Sequence, residues 1–204
     1  MNSPRPEQGR QPPSGGLDYE AFRAVMGSFA SGVAVVTTRA NDGEPHGLTC
    51  SAVCSVSVDP PLLLTCIRTP SRTLDALRES GTFVVNFLDA RARDLSQHFS
   101  SRDTSKFGSI PTHPGPATEV PVLDRVLAYA ECSTRQLIEA GDHVVVIGLL
   151  IGGDVDLSRF PLGYWRGSYM QMYRLDQPSS RTAEAHWDEA ASAEPGYDLE
   201  PIGL

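Results

Sequence analysis

Two long strand-like runs, Val126 to Ile138 and His143 to Val155, are joined by only Glu139-Ala140-Gly141-Asp142. A link that short returns the chain antiparallel, because a parallel neighbour needs a crossover of roughly a dozen residues or more. Further apolar runs precede this pair: Val33 to Thr38, His46 to Ser57, Leu62 to Ile67 and Thr82 to Leu88, with Tyr164 to Tyr173 after it. Asn41-Asp42-Gly43 marks a hairpin turn, and Asp59-Pro60-Pro61 is a hard stop between strands. Helical signals are few and short. Asp18 can cap a helix with apolar positions Phe22, Val25, Met26 and Phe29, ended by Gly32. Ser71 caps Arg72 to Ser80, closed by Gly81, and Ala90 to Phe99 places Leu95 and Phe99 on one face. Lys106 to Pro121 reads as a Gly- and Pro-rich loop, long enough for a lid or a partner contact. This mainly β pattern with peripheral helices predicts a closed antiparallel barrel rather than a doubly wound sheet.

The 204 residues, 40% of them hydrophobic, suffice for one core, expected within 17–175. Residues 1–16 contain four prolines and three glycines and are expected to be a disordered leader. The tail 176–204 carries seven acidic residues against Arg181 alone, so most of the net charge of −8 resides there. An acidic chain of this kind lacks the clustered Lys and Arg of a nucleic-acid-binding face. Its single lysine, Lys106, follows Ser105, which excludes a Walker-type phosphate loop, and no G-x-G-x-x-G occurs. The longest apolar run, Val144 to Ile151, is far short of the ~20 residues that span a bilayer. Without a secretory signal pattern, a soluble cytoplasmic protein is expected. Its cysteines (Cys50, Cys54, Cys66, Cys132) show no metal-ligand spacing and are expected to be buried free thiols.

Three segments carry possible chemistry. In Gly47 to Ser57, Thr49, Ser51, Ser55 and Ser57 place small hydroxyls among apolar or small neighbours. Such a strand either pairs Thr with Ser in an ordinary half-buried sheet or lets a flat, polar-edged ligand approach its backbone. Ser71-Arg72-Thr73 opens a helix with N–H groups, two hydroxyls and a guanidinium. This reads as a phosphate site or as a plain cap beside a solvated arginine, with Lys106 a second cation if its loop folds over. His143 opens a strand after Gly141-Asp142, as a donor to a ligand carbonyl or as a hydrogen-bonded turn residue. No G-x-S-x-G elbow or carboxylate pair is present.

Together these segments resemble the flavin reductase-like, split-barrel FMN-binding family, which includes reductase components of two-component flavin monooxygenases. The resemblance runs through Phe22-Arg23-x-x-Met26-Gly27-x-Phe29-x-x-Gly32-Val33-Ala34-Val35-Val36-Thr37 and Gly47-Leu48-Thr49-x-Ser51-Ala52. It continues in Ser55-Val56-Ser57-x-Asp59-Pro60-Pro61-Leu62, Gly81-x-Phe83-x-Val85-Asn86, Lys106-Phe107, Gly141-Asp142-His143 and Pro161-Leu162-x-Tyr164-x-Arg166-Gly167-x-Tyr169. It implies a closed split β-barrel, hydride transfer from NADH or NADPH to FMN or FAD, a homodimer, and a partner monooxygenase that receives reduced flavin. It implies flavin contacts from Thr49, Cys50, Ser51, Ala52, Ser55, Val56, Ser57, Ser71, Arg72 and Thr73, with Phe99, Lys106 and Phe107 closing over the ring. The nicotinamide region would comprise Ser31, Gly32, His143, Tyr164 and Arg166, with His143 catalytic and no metal. The same barrel also serves non-catalytic flavin- or haem-binding modules and pyridoxamine-phosphate-oxidase-like oxidases, the alternatives to a reductase.

Overall fold

The computed structural model describes residues 16–103 and 105–172. The acidic tail and most of the leader, with Tyr173, lie outside the described residues. In chain order the elements are α1 (Tyr19–Met26), β1 (Ser31–Gly32), β2 (Ala34–Arg39), β3 (Pro45–Cys50), β4 (Val53–Ser57), β5 (Leu62–Arg68), α2 (Arg72–Ser80) and β6 (Thr82–Leu88). Then follow α3 (Arg93–Ser100), β7 (Thr112–Pro114), β8 (Pro121–Leu123), β9 (Val126–Ala140), β10 (His143–Val155), β11 (Leu162–Trp165) and β12 (Ser168–Gln171).

Seven strands form one antiparallel sheet in the order β3-β2-β6-β9-β10-β5-β4, and its spine is the long β9–β10 hairpin. The closed barrel expected from the pattern is not formed: the sheet is open, with β3 and β4 as its two margins. The reason lies in the run His46 to Ser57, expected as one strand. It breaks at Ser51-Ala52, so its first half pairs with β2 and its second half with β5. The margins are therefore consecutive in the chain yet share no ladder; at the corner between them Ala52 O accepts from Cys66 N of β5 at 3.0 Å.

Alternation along β2 splits the interior. Val36 packs with Leu63, Ile67, Phe83, Val85, Val144 and Val146 beneath Leu74 and Leu77 of α2. Val35 faces the other way, toward Leu95 and Phe99 of α3, Leu123 and Leu162. Leu74 and Leu77 are fully buried, each burial contributing about 1.5–3 kcal/mol. The bounds of α2 follow from its ends: Ser71 Oγ accepts from Leu74 N at 3.3 Å, and Gly81 adopts φ 69° to terminate it.

Other segments differ from expectation. The first helix stops at Gly27, and Gly32 belongs to β1 instead. None of its residues is buried, so Phe22, Val25 and Met26 face outward. The third helix starts at Arg93 rather than Ala90. The Pro-rich loop contains the small β7–β8 hairpin. Glu131, 1% exposed, anchors its turn: Oε2 accepts from Ala117 N, Thr118 N and Thr118 Oγ1 at 3.0, 2.8 and 2.7 Å. A Cβ at Gly115 or Gly152 would collide with this carboxyl group. The final run is two strands, bent at Arg166-Gly167 where both residues have positive φ. Together with β1 these form a separate three-stranded sheet. Of the four free thiols, Cys50 and Cys132 are buried and Cys66 is half-buried, but Cys54 is exposed on the margin strand.

Candidate functional site

The corner at Ser51-Ala52 opens onto a cavity of about 400 Å³, within the ~300–1,000 Å³ range of small-molecule pockets. Its wall includes Thr49, Cys50, Ser51 and Ala52, with Ser71, Phe99 and Lys106, and His143 also lines it. A recess of about 130 Å³ shares Ser71 and Lys106 with it and adds Arg72, Thr73 and Phe107. Eleven of the residues singled out from the sequence thus meet in one place.

Local chemistry explains how each is held. Thr49 Oγ1 donates to Ser96 O in α3 at 2.6 Å, which fixes the strand against the helix. Cys50 turns its sulfur inward, to Thr65 Oγ1 at 3.3 Å and Cys66 O at 3.5 Å. Ser51 and Ala52 fall outside both ladders, leaving their N–H groups uncommitted to sheet pairing. Gly47 allows β3 to press against two rings. A Cβ there would lie 2.9 Å from Phe99 and 3.2 Å from Phe107, which pack edge to face at 5.2 Å.

Lys106 and Phe107 do fold over this region. Lys106 Nζ donates to Phe99 O at 2.7 Å and Gly47 O at 3.2 Å, and Lys106 O lies 2.7 Å from His98 Nε2. Burial and the neighbouring Arg72 charge hold the Lys106 ammonium below its ordinary 10.5. Arg72 itself is exposed at the first turn of α2, its one side-chain hydrogen bond among the described residues a long 3.5 Å contact to Asp103 O. Two cations and the N-terminus of α2 therefore converge on the recess, a donor set suited to a phosphate.

On the far strand, Gly141 at φ 66° makes the β9–β10 turn that presents Asp142 and His143. Asp142 O accepts from Thr69 N at 2.9 Å, and Asp142 Oδ1 lies 2.8 Å from His143 Nδ1. The hydrogen bond from His143 keeps the Asp142 carboxyl below the usual carboxylate range. Because a carboxylate only accepts, Nδ1 carries the proton and Nε2 is left toward other partners.

Seven of the sequence-derived positions lie elsewhere. Ser55, Val56 and Ser57 belong to the margin strand β4 and line neither cavity. Ser31 and Tyr164 are paired in the three-stranded sheet beside Gly32, and Arg166 stacks its guanidinium 4.7 Å from the Trp165 ring. Helix α3 intervenes: Ser96 receives the Thr49 bond through its carbonyl and meets Tyr169 Oη through its hydroxyl at 3.0 Å. His46 and Arg68, which also line the cavities, were not singled out. A signal existed for Arg68, a charged residue ending an apolar strand three positions before the Ser71 cap.

Comparison with known proteins then decides the family. The model of the flavin reductase like domain matches residues 26–173, nearly the whole described body. The chain belongs to the flavin reductase like family. A flavin reductase (NADH) of Kitasatospora aureofaciens is 46% identical over 169 residues, covering 82% of this chain and 87% of that protein. HsaB, the reductase subunit of a flavin-dependent monooxygenase of Mycobacterium tuberculosis, is 33% identical over 87% of this chain and 92% of its own length. Among solved structures, the NADH:FAD oxidoreductase SgcE6 of Streptomyces globisporus, in complex with NAD and FAD fragments, superposes with a TM-score of 0.74. It is 28% identical, over 78% of this chain and 96% of that one. Family membership accords with a mainly β chain with few helices.

Proposed function

We propose that this chain is an NAD(P)H-dependent flavin reductase that carries hydride from NADH or NADPH to FMN or FAD and supplies reduced flavin to a partner monooxygenase. The observation that carries the reading is the pair of cavities joined at Ser71 and Lys106. A hydroxyl- and backbone-lined corner, a cationic recess at a helix start and a fixed histidine converge there. A flavin fits these residues by the chemistry of the donor set, and when bound it supplies the hydride-accepting ring. The relatives named above act as reductases or reductase subunits, which supports the same assignment.

In this reading Arg72, Lys106 and the N–H groups of the first turn of α2 hold the phosphate. The backbone at Ser51 and Ala52 donates to the polar edge of the ring. Phe99 and Phe107 form an apolar wall, and His143, held by Asp142, orients the nicotinamide carboxamide through Nε2. No side chain is required to exchange a proton during hydride transfer; the protein contributes placement. The outward apolar residues of α1 (Phe22, Val25, Met26) suit burial against a second copy of the chain, giving a homodimer. Purified protein mixed with each flavin and each nicotinamide is expected to consume the nicotinamide absorbance catalytically. No turnover in any of the four combinations would overturn the assignment.

Two outcomes follow for single residues. His143→Ala should slow reduction of bound flavin about tenfold, the equivalent of one lost hydrogen bond, with flavin affinity within about twofold. Stopped-flow reduction and flavin fluorescence quenching separate the two effects.

Lys106 gives a pH dependence. Its ammonium holds the phosphate only while protonated, and burial lowers that pKa below the ordinary 10.5. FMN affinity should therefore fall as pH rises through the lowered value, before an ordinary lysine would titrate. Riboflavin, without a phosphate, should lack this alkaline loss, and Lys106→Met should abolish the difference between the two ligands.

A further inference from the structure

The recess accounts for two of the cations lining the cavities, Arg72 and Lys106, and leaves a third. Arg68 lines only the larger cavity, together with His143. The two residues are direct cross-strand partners at the ends of β5 and β10. The Arg68 guanidinium is tied only loosely: its Nε lies 3.8 Å from Asp142 Oδ2, with the two side chains 77% and 64% exposed. Solvent screens an ion pair that open, so it holds the arginine only weakly. Among the described residues none accepts a hydrogen bond from the planar fork of its terminal nitrogens. Asp142 thus restrains the arginine without neutralising its reach, while holding His143 with its other oxygen.

We propose that Arg68 recognises the pyrophosphate of the nicotinamide dinucleotide and so sets the affinity for the hydride donor. This rests on the reductase reading above, in which His143 meets the nicotinamide. A fork of N–H donors beside that histidine matches the two negative phosphates attached to the same molecule. The recess provides for one phosphate of the flavin, and Arg68 lies outside it beside His143, on the side of the second substrate.

The test compares NADH with benzyl dihydronicotinamide, a hydride donor that carries no phosphate. With Arg68→Gln, KM for NADH should rise about tenfold while kcat stays within about twofold. Turnover with the benzyl compound and flavin affinity should not change. Arg68→Lys, which retains the charge, should recover part of the NADH affinity. An equal loss with both donors would assign Arg68 to local structure and overturn the proposal. So would an unchanged KM, or a loss confined to flavin binding. A wild-type protein that oxidises neither donor would instead refute the reductase reading itself.

Discussion

Replacing Arg72 with alanine is expected to weaken FMN binding about ten- to thirtyfold and to leave riboflavin binding within about twofold. A charge-assisted hydrogen bond to an anion contributes about 1.5–3 kcal/mol, and solvent at this exposed helix start holds the effect to the lower half of that range. Arg72 is suited to the role because no described residue occupies it fully; its contact with Asp103 O is 3.5 Å long. The N–H groups of the first turn add partial positive charge on the same side. Arg72→Lys should restore only part of the affinity, since an ammonium lacks the planar fork. Fluorescence titration with FMN and riboflavin side by side measures both effects. An equal loss for the two ligands would place Arg72 at the ring rather than at the phosphate.

The largest stability effect is expected at Glu131, remote from the cavity. Alanine there leaves two backbone N–H groups and the Thr118 hydroxyl without their acceptor, in a position where Glu131 itself is 1% exposed. Unmade hydrogen bonds of this kind cost about 1–3 kcal/mol each, so a total loss near 3 kcal/mol is expected after partial solvation of the turn. For a chain of this size that corresponds to a Tm lower by roughly 6–12 °C. Glu131→Gln keeps an acceptor oxygen and should cost less than half as much. Thermal unfolding followed by circular dichroism checks both variants, and an unchanged Tm for Glu131→Ala would show that the β7–β8 turn holds without its anchor.

The two predictions illustrate what a linear reading can and cannot find. Helix α2 was legible to the residue because its stop and start are local: Ser71 caps it and Gly81 takes the positive φ that ends it. The β9–β10 hairpin was legible for a similar reason, a glycine-containing turn between two long runs. Arg72 and His143 stood out through their positions at element ends and Lys106 as the chain's single lysine, and all three line the cavities. The break at Ser51-Ala52 was not legible, because a strand that changes partners keeps the same small and apolar residue types on both sides. Glu131 was hidden by distance along the chain, since its donors sit 13 and 14 residues upstream in a loop. The open sheet escaped notice too: a count of strands does not reveal whether the first and last will pair.

That unclosed margin has an energetic consequence. Between β3 and β4 no ladder runs, and the corner is tied to β5 by Cys66 N to Ala52 O and by the Cys50 sulfur, so opening it breaks fewer backbone bonds than parting two paired strands. A ligand seated against Ser51 and Ala52 rests on both sides of this seam. Its occupancy stabilises that corner in proportion to the logarithm of its concentration over Kd.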